Sequence, residues 1–161
     1  MDDIRHSIPE FQDMQTLSNL YKASHEAIFV HDYDSGKIID VNDQMLEMYG
    51  YSHDEVLNLD MEKISSGKAP HTVEEASEML QRVKKEGEIN FEWHDRKKNG
   101  KFIWTDNTMK VVLINGQKRI IVLSRDITAR KKKQLQLQSM VRESVEKIQS
   151  LNEKLTLTNE E

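Results

Sequence analysis

Residues 89–125, INFEWHDRKKNGKFIWTDNTMKVVLINGQKRIIVLSR, decide the architecture. Ile89, Phe91 and Trp93 alternate with Asn90, Glu92 and His94, the period of two that marks a half-buried strand. Asn99-Gly100 predicts a type I′ hairpin turn, and Lys101 to Leu113 its partner strand. Asn115-Gly116 repeats the turn signal, and Gln117 to Arg125 reads as a third strand rich in Ile and Val. One stretch therefore predicts three consecutive antiparallel strands.

Upstream, Ala27 to His31 and Lys37 to Val41 are short apolar runs around the turn triplet Asp34-Ser35-Gly36, which predicts another hairpin. Asn42 is a good N-cap for a helix from Asp43 to about Tyr49, closed by Gly50. Ser52 with Glu55, and Thr72 with Glu75, have capping-box spacing, so two further helices start there. The second is the longest internal helix, running to about Glu86, with Val73, Ala76, Met79, Leu80 and Val83 on one face and Gly87 as its stop. The sum is an α+β domain, a five-stranded antiparallel sheet with helices inserted after its second strand.

Two flanks read differently. Phe11, Met14, Leu17, Leu20 and Tyr21 recur at helical spacing and predict an N-terminal amphipathic helix within residues 1–22. From Ile127 onward, Leu137, Val141, Ile148, Leu151 and Leu155 fall on one seam at spacings of three and four, interrupted by Arg130, Gln134, Ser144 and Thr158. Residues 129–161 are thus expected to form a C-terminal helix that pairs with a second copy of itself through Val141, Ile148, Leu151 and Leu155. The alternative is a helix that folds back on the sheet. The central domain is expected to occupy residues 23–128.

Composition narrows the function. Among 161 residues there is no cysteine, which removes disulfides, thiolate metal sites and thiol nucleophiles. A formal net charge of −5 gives no basic footprint, and the one basic cluster, Arg130 to Lys133, stands at a helix start, so nucleic acid is not an expected partner. No apolar run reaches membrane-span length, and the acidic start MDDIRHSIPE lacks a signal-peptide pattern. A cytoplasmic chain without membrane contact is expected. There is no Gly-rich phosphate loop, metal-ligand spacing or activated nucleophile, so the chain is not expected to be an enzyme.

Three segments carry a family resemblance. IFVHDYDSGKIIDVNDQMLEMYGYSHDEV, with its Asn after the second strand and its Gly-Tyr-Ser-x-x-Glu box, resembles the opening of PAS domains. FEWHDRKKNGKFIWTDNTMKVV resembles their second hairpin, and RIIVLSRDITARKK their last strand with its Asp-Ile-Thr ending. The resemblance spans about residues 20–133. It implies a bacterial-type sensory module that passes a conformational change along a dimeric helix to an effector, a histidine kinase or a nucleotide cyclase such as a diguanylate cyclase. The end of the chain in mid-helix is read as the point where that effector has been cut away.

Superposing the turn and the ending on the family pattern implies an inner sheet face of Ile89, Phe91, Trp93, Ile103, Thr105, Asn107, Met109, Ile120, Val122 and Ser124. Phe29 and His31 join from the first strand, and Met45, Tyr49, Met79, Leu80 and Val83 from the helices. The candidate pocket is Phe29, His31, Met45, Tyr49, Leu80, Val83, Phe91, Trp93, Thr105, Asn107, Met109, Val122 and Ser124, for an unidentified small molecule. The alternative is that His31, Thr105, Asn107 and Ser124 merely satisfy one another in an ordinary core, leaving a ligand-free dimerisation or spacer module.

Cofactor chemistry has two narrower forms, and neither is required. Haem would use His71, which is expected before the capping Thr72 and off the buried helix face, or His31 as a distal ligand. A redox flavin would use the two Trp and Asn107, since a thiol adduct needs a cysteine. Asp126, Ile127 and Thr128 are the expected signal junction, with the Asp126 carboxylate near the first amides of the last helix. On the outer face, Phe102, Trp104, Ile121 and Leu123 form an apolar stripe for the N-terminal helix to cover, within one protomer or by exchange between two.

Overall fold

The computed structural model describes residues 19–159, and side chains up to residue 155. Five strands form one antiparallel sheet: β1 (Ala27–Asp32), β2 (Ile38–Val41), β3 (Glu88–Arg96), β4 (Phe102–Ile114) and β5 (Gln117–Asp126). Their order across the sheet is β2-β1-β5-β4-β3, so the last strand lies at the centre beside the first. Four helices occupy the connection from β2 to β3: α1 (Asp43–Tyr49), α2 (His53–Leu57), α3 (Met61–Ile64) and α4 (Val73–Glu86). The fold is α+β, with these helices between the second and third strands.

The caps do what their spacing predicts. The Asn42 side chain accepts from the Met45 amide at 3.1 Å, Ser52 and Glu55 form a reciprocal box, and so do Thr72 and Glu75. Asn42 also ties the hairpin to its approach: its Oδ1 accepts from the Ile28 amide at 2.8 Å, and its Nδ2 donates to the Glu26 carbonyl at 2.9 Å. Helix α3 has no counterpart in the sequence reading. It is one turn long, and its N-cap Asp60 makes no side-chain cap bond.

The two Asn-Gly signals diverge. Asn115 and Gly116 both take positive φ, +50° and +75°, and Ile114 pairs directly with Gln117, the two-residue turn expected. At the other hairpin only Gly100 has positive φ among the described residues, so the expected type I′ turn at Asn99-Gly100 is not formed. The chain instead turns over residues 97–100, where Gly100 donates to the Lys97 carbonyl at 2.9 Å and Lys97 to the Lys101 carbonyl at 2.8 Å. Asn99 accepts from the Lys101 amide through its side chain, and Lys98 is held by the Tyr49 carbonyl.

Register fixes the rows of the inner face. Phe91 lies opposite Asn107, Asn107 opposite Ser124, and Ser124 opposite Ala27. The next row runs Ile89, Met109, Val122, Phe29 and Val41. Met45, Tyr49, Val56, Ile64 and Val83 close the core from the helices.

The chain divides after Asp126. From there α5 (Thr128–Asn159) is a single helix of 32 residues. Leu137, Val141, Ile148, Leu151 and Leu155 on it are each more than half exposed. Of the expected N-terminal helix, Phe11, Met14 and Leu17 lie outside the described residues. Residues 19–23 are helical, and Tyr21 donates to Asp40 at 3.3 Å.

Candidate functional site

A cavity of about 460 Å³ lies between the sheet and the inserted helices. Phe29, His31, Phe91, Trp93, Asn107, Met109, Val122 and Ser124 form its sheet wall, and Tyr49, Met79 and Leu80 face them from helices. Met45, Val83 and Thr105, also expected at the pocket, are buried but do not line it. Met45 and Val83 belong to the hydrophobic core, and Thr105 hydrogen-bonds to Asp95. Strand parity chooses a face and cannot separate a wall from the packing behind it.

The strip after α2 supplies what the sequence reading missed. Leu57, Leu59, Met61 and Ile64 line the cavity, along with Ala76, and the hairpin turn Ser35, Gly36 and Lys37 stands at its rim. The larger omission is Asp95. It continues the alternation of Ile89, Phe91 and Trp93 by one step, lines the cavity, and is 5% exposed. The same period-two count that places Trp93 inward would have found it.

Asp95 anchors a chain of polar contacts. The Tyr49 hydroxyl donates to its Oδ2 at 2.9 Å and the Thr105 hydroxyl to the same oxygen at 2.7 Å. Asn107 Nδ2 donates to Thr105 Oγ1 at 2.9 Å, and Ser124 donates to Asn107 Oδ1. The chain runs from α1 through β3 and β4 to β5, ending two residues before Asp126. Burial pushes the Asp95 carboxyl up to about 6, against the opposing pull of Thr105 and Tyr49. Burial, then Asp95 itself, raises Tyr49 well above its ordinary value, so it remains a neutral donor.

His31 is 2% exposed, and its Nδ1 lies 2.9 Å from the Gly36 carbonyl. A carbonyl only accepts, so Nδ1 carries the proton and Nε2 is left with its lone pair. Burial lowers the His31 pKa, with the Gly36 bond opposing, and the ring is neutral.

His71 precedes the α4 cap and is absent from the cavity wall. It is half-buried, edge-on to Trp93 at 4.9 Å and to Trp104 at 5.3 Å between ring centroids. Outside the sheet, His94 stacks on Phe102 at 5.1 Å and Lys68 lies 5.6 Å above the Phe102 ring. Phe102 is exposed, whereas Trp104, Ile121 and Leu123 are partly covered. At the junction, Asp126 is the last residue of β5, and α5 starts two residues later at Thr128.

An antiparallel sheet with its last strand at the centre, helices inserted between its second and third strands, and a cavity beneath them define an α+β domain built around a cavity. The sequence profile described as PAS domain matches residues 25–129, and the chain belongs to the PAS domain family. A relative is the methyl sulfide methyltransferase-associated sensor of Methanosarcina acetivorans, 32% identical over 107 residues. That alignment covers 66% of this chain and spans only 10% of that protein's length. The PAS domain of an HTR-like protein from Haloarcula marismortui superposes with a TM-score of 0.63 at 23% identity, covering 73% of this chain and 93% of that one. A PAS domain from Colwellia psychrerythraea gives a TM-score of 0.63 at 22% identity, covering 73% and 98%. Among the described residues no helix is long and apolar enough to cross a membrane.

Proposed function

We propose that this PAS domain is a ligand-responsive sensor: a small molecule occupies the cavity, and its presence biases the C-terminal helix α5, which pairs with a second copy and leads to an effector. The supporting observation is the cavity itself, mostly apolar, with one continuous polar chain from Asp95 to Ser124 on its floor. Ser124 lies two residues from the end of β5, so a ligand contacting the chain acts on the strand that leads to Asp126, Ile127 and Thr128. The relative, called a sensor and about ten times the length of the match, supports a role as one module of a longer sensor protein, for which we propose a cytoplasmic location and a kinase or cyclase output.

Native mass spectrometry of protein purified gently from cells, followed by small-molecule analysis after denaturation, tests this reading. The expected result is one retained compound per protomer, lost when Leu80→Trp fills the cavity. Preparations that carry no compound, together with a melting temperature that rises with no candidate ligand, would overturn it. One observation favours a second reading as a ligand-free dimerisation or spacer module. Tyr49, Thr105, Asn107 and Ser124 already hydrogen-bond in one chain that ends on a single oxygen of Asp95, without a ligand.

A further inference from the structure

We infer that the cavity takes a small, largely apolar molecule bearing a protonated amine, with the amine held by Asp95. The inference rests on the ligand-sensing reading and narrows the ligand to a chemical class. It follows from counting donors and acceptors around the cavity. Asp95 Oδ2 receives both the Tyr49 and the Thr105 hydroxyls, whereas Oδ1 has no described hydrogen bond. Asp95 lines the cavity and is 5% exposed, so a donor for this accessible oxygen is supplied from within the cavity.

The other polar groups lean the same way. His31 spends its one proton on the Gly36 carbonyl and presents Nε2 as an acceptor. Ser124 spends its proton on Asn107. Among the described buried groups of the wall, the second N–H of Asn107 offers the opposite sense; Trp93 donates to Ser65, and Ser35, Asn58 and Ser77 are exposed at the rim. The charged groups at the rim, Lys37 and Asp60, are exposed, so an anionic ligand would meet the buried Asp95 with no buried cation to offset it. An ammonium reverses each of these penalties: it donates, it pairs with the carboxylate, and its apolar remainder matches Phe29, Leu80, Met109 and Val122.

Three probes of one shape separate the possibilities: tryptamine, tryptophol and indole-3-propionate, titrated calorimetrically into the full chain at about pH 7.5. Tryptamine is expected to bind at least about tenfold tighter than tryptophol, and indole-3-propionate weakest of the three. Asp95→Asn should remove the advantage of tryptamine over tryptophol. If that variant does not fold, the unaltered protein decides through pH. Lowering to about pH 5 protonates Asp95 and should weaken tryptamine but not tryptophol. The other groups facing Asp95 do not mimic this: Thr105 does not titrate and Tyr49 stays neutral. A charged His31 ring would also repel tryptamine, but burial lowers its pKa, and His31→Gln should keep the pH effect when Asp95 is its source; Lys37 and Asp60 stand exposed at the rim.

Equal or tighter binding of tryptophol or indole-3-propionate overturns the amine assignment and leaves the cavity as a binding site. Absence of binding by all three also overturns it. A xenon NMR titration then tells whether the cavity reading falls too, because xenon enters an accessible apolar cavity whatever the charge around it.

Discussion

Asp95 also sets a direction for stability against pH. Its carboxyl titrates near 3.8 in an unfolded chain and at about 6 in the fold, so the folded state holds its proton more tightly. Its contribution is therefore fully present below the unfolded value and is lost as pH rises through the folded one, with a full penalty on the order of 3 kcal/mol. His31 acts oppositely, since a ring buried neutral costs stability as pH falls below its ordinary value. Both chains share that term, so the difference between Asp95→Asn and the parent isolates Asp95. Denaturant titrations should show the variant gaining on the parent between about pH 4 and pH 6, then a plateau. A flat difference would mean that the carboxyl is not buried as described.

Asn107 supports its neighbours as well as facing the cavity. Asn107→Leu strips Ser124 of its acceptor and Thr105 of a donor, and should cost about 1–3 kcal/mol without any ligand. Ser124→Ala in the same chain should return part of that loss, a coupling that a double-mutant cycle on unfolding free energies measures. Strict additivity would show that the pair does not interact. The inward placement of both residues comes from laying the turn and the Asp-Ile-Thr ending on the family pattern, whereas their bond depends on register across β4 and β5, which parity cannot supply. Asp95 shows the opposite case, a residue within reach of the pattern that the reading stops short of.

The hairpin between β1 and β2 reaches the helical layer at Gly36. This residue has φ of +71°, and a Cβ there would come within 3.0 Å of Leu80 Cδ1 at the cavity rim. Gly36→Ala should lower stability by about 1–2 kcal/mol from the left-handed backbone alone. It should also weaken ligand binding by pushing Leu80 inward, which melting with and without ligand would detect; unchanged melting would mean that the turn relaxes freely. Elements were legible where local chemistry is strong. Two capping boxes, an Asn cap and the Asn115-Gly116 turn announce themselves, because each satisfies backbone groups within three or four residues. Helix α3 and the Lys97–Gly100 turn were not legible, because contacts to distant residues hold them. Lys98 rests on the Tyr49 carbonyl, and the α3 turn lies between stretches that line the cavity.

For the molecule as a whole, the seam on α5 leaves Val141, Ile148, Leu151 and Leu155 exposed on one helix. The full chain should therefore be a dimer at tens of micromolar by light scattering, an order of magnitude typical of a modest coiled coil of four heptads. Truncation after Lys133 should shift it toward monomer. A monomeric full chain would remove the coiled-coil reading, and with it the proposed route from cavity to effector. The sheet carries a different consequence at its margin. β3 is the outermost strand, and a bare edge of nine residues is a template on which a foreign strand can add. Here Ser65 bridges to Asp95, and the Ser66 amide donates to the His94 carbonyl at 3.0 Å, so the loop after α3 occupies part of that edge. The segment that walls the cavity thus doubles as a guard against fibril growth. Conditions that loosen it to admit a bulky ligand would also bring the protein nearer to aggregation.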